Sequence, residues 1–375
     1  MPVIPCPNVP LLNVFDYPRI HLLASGELIW THATTFSQAQ GWLPRPSPFL
    51  DLTPPFPCGE QRWKDGESSQ PTTATRHFNG SSVHLITWDR ATDQFTELLY
   101  VIGGATIPFD HIGSCSNPAF DPTKIHGIVE RMVLNPLASP SESGEWESTP
   151  SLDLNHARVN HNAVILLDGS IVVIGGLGWN GTCAWRRWTE RLMPEEVVES
   201  SSPAAWAFMA LQDVPRQYHS VAGLLPDGSV VSAGGANLPQ SETDWCKPDH
   251  TLEIFKPPYF FNGVRPDIDT TTLTDPAVGH YNYNATFSFS VTLETTVTVD
   301  RVALVRPGAS THAFDSSQLY VELRLPTLPS GGGTLTLQPT MPPNGNYAPP
   351  GYYLLVVVDS LGRPSAGAWI RLDEA

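Results

Sequence analysis

The fold of this chain can be inferred from a stretch that occurs twice. Residues 157–176 read ARVNHNAVILLDGSIVVIGG, and residues 215–235 read PRQYHSVAGLLPDGSVVSAGG. Each copy contains Arg-x-x-His, an apolar strand, an Asp-Gly pair, a second apolar strand and a closing Gly-Gly. Asp-Gly is typical of a type I′ hairpin turn, in which both central residues need positive φ. The diglycine indicates a close backbone approach at the end of the strand.

The spacing of the copies indicates a repeat architecture. The two diglycines end at Gly176 and Gly235, 59 positions apart, which is near the period of roughly 50 residues of kelch blades. A weaker copy runs from Tyr17 to Trp30, and another ends at Gly104. We therefore predict about four blades of a kelch-type β-propeller.

The pattern changes after residue 259. Apolar alternation or apolar runs occur in residues 286–291, 297–305, 319–325 and 352–358. Short strands separated by Gly/Pro turns are typical of a β-sandwich. The prediction is thus an all-β protein, with propeller blades over residues 1–259 and an immunoglobulin-like β-sandwich over residues 260–375.

The composition excludes several classes of function. Of the 375 residues only 15% are charged, and the formal net charge is −16, so we expect no nucleic-acid partner. No apolar run approaches the ~20 residues of a membrane span, and the N-terminus as given shows no signal peptide pattern. The five cysteines show no zinc-finger spacing, and the absence of a Gly-x-Ser-x-Gly motif argues against a hydrolase.

Two distant segments carry metal-binding residue types. Tyr218 and His219 lie at the start of the second copy, and His312 ends the loop RPGASTH over residues 306–312. A phenolate and two imidazoles are a plausible copper(II) set, because imidazole suits copper and copper(II) favours tetragonal N,O coordination. The alternatives are that Tyr218-His219 packs in the propeller channel and that His312 is exposed to solvent. When the copies are aligned on Arg-x-x-His, His161 takes the position of His219 and Asn160 that of Tyr218.

Kelch-type blades followed by an immunoglobulin-like sandwich resemble the copper radical oxidases, the galactose oxidase and glyoxal oxidase family. The most specific parts of the resemblance are residues 216–235, residues 306–312 and the run PPGYY at 349–353. The resemblance implies copper as the cofactor, with His219 and His312 as equatorial ligands. It also implies that Tyr218 is the axial ligand and the catalytic base for the substrate hydroxyl. Arg19 could line the substrate side, as a family arginine does, or form a surface ion pair.

The chain departs from the family in the radical cofactor. That cofactor is a tyrosine joined to a cysteine by a thioether bond, and both residues come from blades well before the Tyr-His pair. The blade just before Tyr218-His219 offers Asn160-His161 and no tyrosine, so the Cys–Tyr pair is not identifiable in this chain. The family closes its ring with seven blades, and we therefore expect the chain to begin after the early ones and to leave an open propeller edge.

Two functional hypotheses remain open. In the first, the full-length protein is a copper radical oxidase that oxidises a primary alcohol or small aldehyde with O₂ to give H₂O₂, and this chain is a truncated form of it. In the second, the protein is a non-catalytic kelch and sandwich protein that binds a carbohydrate or a cell-wall partner. An upstream Cys and Tyr would distinguish them. The resemblance also implies an extracellular, secreted protein.

Overall fold

The fold is taken from a computed structural model of the chain. It describes residues 19–31, 34–37, 41–44, 48–51, 63–65, 77–106, 122–138, 144–148, 150–179, 183–185, 189–192, 206–237, 247–248, 250–273, 280–329 and 331–373. Tyr17 and most of the five cysteines lie outside these residues, and Cys183 is described only as part of a strand.

The regular elements of the described residues are strands and short 3₁₀ turns. The strands of the first part are β1 Ile20–Leu22, β2 Glu27–Trp30, β3 Thr34–Ser37, β4 Gly41–Pro44, β5 Pro48–Asp51, β6 Trp63–Asp65, β7 Ser81–Asp89, β8 Gln94–Ala105, β9 Ile125–Leu134, β10 Trp146–Ser148, β11 Arg158–Val159, β12 Asn162–Ile165, β13 Ile171–Ile174, β14 Leu177–Trp179, β15 Cys183–Trp185, β16 Thr189–Leu192, β17 Ala207–Phe208, β18 Ser220–Leu224, β19 Val230–Gly234, β20 Ala236–Asn237, β21 Lys247–Pro248 and β22 Leu252–Phe255. The later strands are β23 Asp267–Asp269, β24 His280–Tyr281, β25 Phe289–Leu293, β26 Val299–Arg306, β27 Ser310–Thr311, β28 Phe314–Asp315, β29 Leu319–Glu322, β30 Gly333–Leu337, β31 Gly351–Asp359 and β32 Ala368–Leu372. The 3₁₀ turns are Pro122–Lys124, Pro150–Leu152, Pro258–Phe260 and Thr270–Thr272.

Four antiparallel meanders form the blades of the first part. Blade 1 is β1-β2-β5-β6, blade 2 is β10-β9-β8-β7, blade 3 is β12-β13-β16-β17 and blade 4 is β18-β19-β22. These sheets coincide with the four units predicted from the repeats. The first strands of blades 2, 3 and 4 (β7, β12 and β18) lie side by side and are the inner strands of their blades. Blade 1 continues this arrangement, because Arg19, directly before β1, contacts Gly80, directly before β7.

The hairpins that link β12 to β13 in blade 3 and β18 to β19 in blade 4 do not have the predicted turn. Gly169 and Gly228 have positive φ (80° and 92°), but the aspartates before them do not. Each loop instead has three residues, with the glycine amide donating to the carbonyl of Leu166 or Leu225. A three-residue loop that ends on a left-handed glycine is the other common hairpin connection. The predicted type I′ geometry is therefore wrong.

The diglycines have the predicted close approach. Gly176 has a φ of 89°, and a Cβ built on it would lie 2.7 Å from the carbonyl oxygen of Val159. Gly104 has a φ of 110°, and its Cβ would lie 2.8 Å from the backbone of His77. No side chain larger than hydrogen fits these positions without moving the backbone.

The second part is a sandwich of two sheets, β23-β25-β30 and β29-β26-β31-β32-β24. A buried apolar cluster fills the space between them, with Phe289 and Val291 on one sheet and Leu304 and Leu355 on the other. The fold is therefore all-β, with propeller-type blades followed by an immunoglobulin-like sandwich. The division between residues 259 and 260 stays a prediction.

The larger sandwich sheet continues into blade 2. Strand β29 pairs in parallel with the inner strand β7, with Tyr320 opposite Leu85 and Val321 opposite Ile86. A second buried cluster contains Leu85 of blade 2, Ile165 of blade 3, and Tyr320 and Val356 of the sandwich. The inner edge of blade 2 is thus covered, and the blades and the sandwich share a hydrophobic core.

Candidate metal centre

In blades 3 and 4 the chain entering the inner strand is anchored to the first glycine of the diglycine. Arg158 donates to the carbonyl of Gly175 at 3.2 Å, and Arg216 donates to that of Gly234 at 3.0 Å. Both arginine side chains are fully buried. The arginine of Arg-x-x-His therefore holds the segment that precedes the strand, and the two arginines occupy equivalent places in blades 3 and 4.

The alignment of the two copies on Arg-x-x-His is nevertheless off by one residue. Asn162 pairs with Ile174, directly before the diglycine, and the residue with the same pairing in blade 4 is Val221, opposite Ala233. His219 therefore corresponds to Asn160, and not to His161. The backbone agrees with this correspondence, because both residues have positive φ, 63° for His219 and 54° for Asn160.

The physical reason for the shift is one extra residue in blade 4. The hairpin loops of the two blades have equal length, so the insertion lies between Arg216 and the strand. Gln217 is buried, as Val159 is in blade 3, whereas Tyr218 is half-buried, so we infer that Tyr218 is the extra residue. Blade 4 thereby presents a tyrosine next to a left-handed histidine.

The second half of the site is the tip of a β-hairpin from the sandwich. Strands β27 and β28 pair Thr311 with Phe314, so His312 and Ala313 are the two loop residues. Both have positive φ, 51° and 64°, as the central residues of a type I′ turn do. This turn normally takes Asn-Gly, so a histidine at its tip is a departure from local preference.

The structure brings the three predicted side chains together. The rings of Tyr218 and His219 stack with centroids 3.9 Å apart, and the ring of His312 lies 5.1 Å from His219 and 5.8 Å from Tyr218. His219 is exposed, whereas Tyr218 and His312 are half-buried. The cluster is therefore reachable from solvent. That these residues bind a metal stays a prediction.

The hairpin is also braced from within. The carboxylate of Asp315 accepts from the backbone N–H groups of Ala309, Ser317 and Gln318, at 2.8–3.0 Å. The Nδ1 atom of His312 lies 2.7 Å from the hydroxyl of Thr311.

The donor set fits copper(II). The rings of one tyrosine and two histidines lie together, and they carry the mixed N,O donors that copper(II) favours. Among the described residues no group of three or more His, Cys, Asp or Glu side chains could hold a metal ion. The centre formed by Tyr218, His219 and His312 is thus the candidate that the described part of the chain offers.

Other histidines are buried away from this centre. His161 is fully buried, and burial together with the charge of Arg158 lowers its pKa to about 3. His21 lies 2.7 Å from the hydroxyl of Ser82, and burial, with a further effect of His84, lowers its pKa to about 3. Both imidazoles are therefore neutral in the folded protein at ordinary pH.

Arg19 is not a surface residue. Its side chain is 2% exposed and donates to the carbonyls of Gly80 at 3.2 Å and of His312 at 2.9 Å. The surface ion pair considered from the sequence is therefore wrong. The sequence does not reveal this contact of Arg19 with the hairpin. It also does not reveal that Ser81 and Asn162 contact the hairpin. All three residues hold the same position at the start of the first strand of their blades.

Comparisons with known proteins agree with this architecture. Residues 265–372 match the family described as "Galactose oxidase-like, Early set domain". The chain is 28% identical over 368 residues to aldehyde oxidase GLOX of Vitis pseudoreticulata, covering 95% of this chain and 62% of the relative. It is 29% identical over 227 residues to galactose oxidase of Gibberella zeae, covering 59% of this chain and 30% of the relative. The predicted resemblance to the galactose oxidase and glyoxal oxidase family is confirmed, and it is most specific over residues 265–372, which match the family's early set domain.

A solved structure is also similar. A fungal alcohol oxidase of the AA5 family in complex with copper superposes with a TM-score of 0.66 at 18% identity, covering 95% of this chain and 63% of that chain. At this identity the likeness shows the fold. The chain spans less than two thirds of the length of these relatives. No helix among the described residues is long and apolar enough to cross a membrane.

Proposed function

We propose that this chain is the copper-binding part of a copper radical oxidase, with Tyr218, His219 and His312 as the ligands. The observation that carries the proposal is the convergence of three rings from two separate regions, blade 4 and the sandwich hairpin, within 5.8 Å. The homology to aldehyde oxidase GLOX and galactose oxidase supports it. We also propose, on the resemblance alone, that the protein is secreted.

The proposed reaction of the full-length protein is the oxidation of a primary alcohol, or of a small aldehyde as its hydrate, by O₂. For an alcohol, RCH₂OH and O₂ give RCHO and H₂O₂, so two electrons and two protons pass from the substrate to oxygen. Bound copper(II) would supply a one-electron acceptor, and the second electron needs another redox group, which in the family is the Cys–Tyr pair. The phenolate oxygen of Tyr218 would take the hydroxyl proton of the substrate as general base.

We further propose that the 375 residues correspond to the later blades and the sandwich of a longer oxidase. The match to 62% of the length of aldehyde oxidase GLOX supports this. The proposal then predicts that the 375-residue chain binds copper(II) weakly and does not turn over. Robust H₂O₂ production by the purified, copper-loaded chain, with galactose or glyoxal as substrate, would contradict the truncation.

The copper site itself is tested by titrating the 375-residue chain with copper(II). We expect a tetragonal electron paramagnetic resonance spectrum with nitrogen hyperfine coupling. His219→Ala and His312→Ala should each weaken binding by at least about tenfold, the scale measured even for the loss of outer-shell partners. His250→Ala, which removes an exposed histidine elsewhere, is the matched control and should leave the spectrum unchanged. Equal loss in all three variants would overturn the assignment.

A second candidate function, binding of a carbohydrate, is favoured by one feature of the sandwich. Tyr352 and Trp369 are 62% and 53% exposed, and their ring centroids lie 6.5 Å apart. They line an open cleft of about 500 Å³ together with Arg306. Exposed aromatic rings beside a cationic group offer an apolar surface for a sugar ring and donors for its oxygens. Retention of the chain on insoluble polysaccharide, lost in Trp369→Ala and kept in His219→Ala, would support this function over the oxidase.

A further inference from the structure

Three successive blades place a polar side chain at the same position of the inner strand. Asn162 lies four residues before Leu166, which opens the hairpin loop of blade 3, and Arg19 lies four residues before Leu23, which opens that of blade 1. In blade 2 the position belongs to Ser81, which pairs with the residue directly before the diglycine, as Asn162 does. All three side chains are at most 4% exposed.

Each of these side chains reaches the next blade at one repeated place. In each case the contacted residue directly precedes the residue that holds the equivalent position in the next blade, which is Ser81, Asn162 or Val221. The contacts are Arg19 Nη2 to Gly80 O at 3.2 Å, Ser81 Oγ to His161 O at 3.0 Å and Asn162 Nδ2 to Ser220 Oγ at 3.0 Å. The Ser81 hydroxyl has one proton to donate, and its shorter contact is the one with the sandwich hairpin at 2.5 Å. The repeat therefore produces a stepped series of polar contacts across four blades.

The same three side chains also hold the sandwich hairpin. The contacts are Arg19 Nη2 to His312 O at 2.9 Å, Ser81 Oγ to Ala313 O at 2.5 Å and Ser310 Oγ to Asn162 Oδ1 at 3.0 Å. Two of them end on the carbonyls of the two turn residues. The third fixes the strand that leads into the turn.

The turn needs such support. A left-handed backbone is unfavourable for a residue other than glycine, because Cβ comes too close to the following carbonyl oxygen, and both His312 and Ala313 adopt one. Strain of this kind persists only where the surrounding structure over-determines the conformation. Strands of two residues each cannot do this alone, so the hydrogen bonds from the blades are the natural restraint.

We propose that Arg19, Ser81 and Asn162 form a hairpin clamp: positioning residues, equivalent by repeat, that hold the turn so that His312 faces Tyr218 and His219. The clamp acts through the backbone of the turn and does not touch the metal. Its effect on copper affinity rests on the proposed function. Its effect on the order of the hairpin does not.

Blade 4 offers a matched control. Val221 holds the equivalent position in that blade, opposite Ala233, and is 41% exposed. An apolar side chain cannot make the polar contacts of the other three. A substitution at Val221 therefore changes the same repeat position outside the clamp.

The test compares Ser81→Ala and Arg19→Gln with Ser81→Thr, which keeps the hydroxyl, and with Val221→Ser. Amide hydrogen exchange over residues 309–316 of the metal-free 375-residue chain is the first readout. We expect exchange to accelerate by about tenfold or more in Ser81→Ala and Arg19→Gln, and to stay at the wild-type rate in Ser81→Thr and Val221→Ser. The second readout is copper(II) titration, in which the first two variants should lose about tenfold in affinity and change the paramagnetic resonance spectrum.

The outcomes separate the two proposals. Wild-type exchange rates over residues 309–316 in both Ser81→Ala and Arg19→Gln would overturn the clamp. If the wild-type chain binds no copper but its hairpin is released in these variants, the clamp stands and the proposed copper site fails. If Arg19→Gln does not fold, Ser81→Ala against Ser81→Thr decides the question.

Discussion

Two buried histidines, His21 and His161, have folded-state pKa values of about 3 because burial disfavours the charged imidazole. In the unfolded chain an imidazole titrates near pH 6.5. The unfolded state therefore binds more protons between about pH 6.5 and pH 3. The stability contributed by each neutral histidine is fully present above pH 6.5 and is lost as the pH falls toward 3.

His21→Gln should therefore reduce the acid sensitivity of the protein. Glutamine can still bond to the hydroxyl of Ser82, but it does not titrate. We expect the slope of unfolding free energy against pH, between pH 6 and pH 4, to fall by up to about 1.4 kcal/mol per pH unit. Denaturant unfolding at several pH values measures the slope. Ser82→Ala, which keeps the imidazole, should retain the wild-type slope, and equal slopes in His21→Gln and wild type would contradict the account.

Part of this residue-level detail could be predicted from the sequence. Residue type and resemblance predict a donor set of Tyr218, His219 and His312, and the structure brings these rings together. The correspondence of His219 with Asn160 could not be predicted, because one extra residue before a strand is invisible until strand pairing is known. Burial of His161 likewise depends on its packing against other blades.

The turn of the hairpin β27–β28 does not have the residues that its backbone conformation favours. A two-residue turn with positive φ at both positions favours Asn-Gly, yet this turn holds His312 and Ala313. Positions that break a local rule are expected at functional sites. The turn should therefore be less stable than a sequence chosen for stability alone.

Replacing the turn by Asn-Gly, with His312→Asn and Ala313→Gly together, should raise the free energy of unfolding by about 1 kcal/mol. The same change should abolish the copper(II) signal, because the imidazole is lost. Ala313→Gly alone is the control and should stabilise the protein while keeping the copper site. Chemical denaturation measures stability, and a double variant less stable than wild type would contradict this account of the turn.

At the level of elements, the sequence indicates hairpins and their diglycine ends but not how they join. Asp-Gly and Gly-Gly mark where strands turn and where backbones meet. The parallel pairing of β29 with β7 joins residues far apart in the chain, and no local pattern encodes it. The same holds for the contacts of Arg19, Ser81 and Asn162 with the hairpin.

In the molecule as a whole, the two faces of blade 4 differ in burial. Ala222 and Val230 are buried in a cluster with residues of blade 3. On the opposite face Val221, Leu252 and Ile254 are 41%, 63% and 47% exposed. An exposed apolar face of this kind favours association.

The 375-residue chain should therefore self-associate with rising concentration in sedimentation velocity. Leu252→Thr combined with Ile254→Thr should shift the distribution toward monomer, because threonine keeps strand propensity while reducing apolar area. Leu361→Thr is the matched control, since Leu361 is 62% exposed outside this face. Association unchanged by the double substitution, or reduced equally by the control, would show that this face is not responsible.

The order of blades and sandwich could be predicted from repeats and apolar alternation. The shared core of Leu85, Ile165 and Tyr320 could not, because it depends on how the two parts dock. The docking of the sandwich on the blades places the hairpin beside blade 4. The candidate site is thus a property of the assembled molecule, although each of its residues carries a signal in the sequence.

The most direct test of the proposed metal centre is a crystal structure of the copper(II)-soaked 375-residue chain, with anomalous diffraction recorded at the copper absorption edge. The account predicts an anomalous peak within bonding distance of Tyr218 Oη, a ring nitrogen of His219 and Nε2 of His312. Absence of a peak between these side chains, or peaks only at other surface histidines, would contradict it.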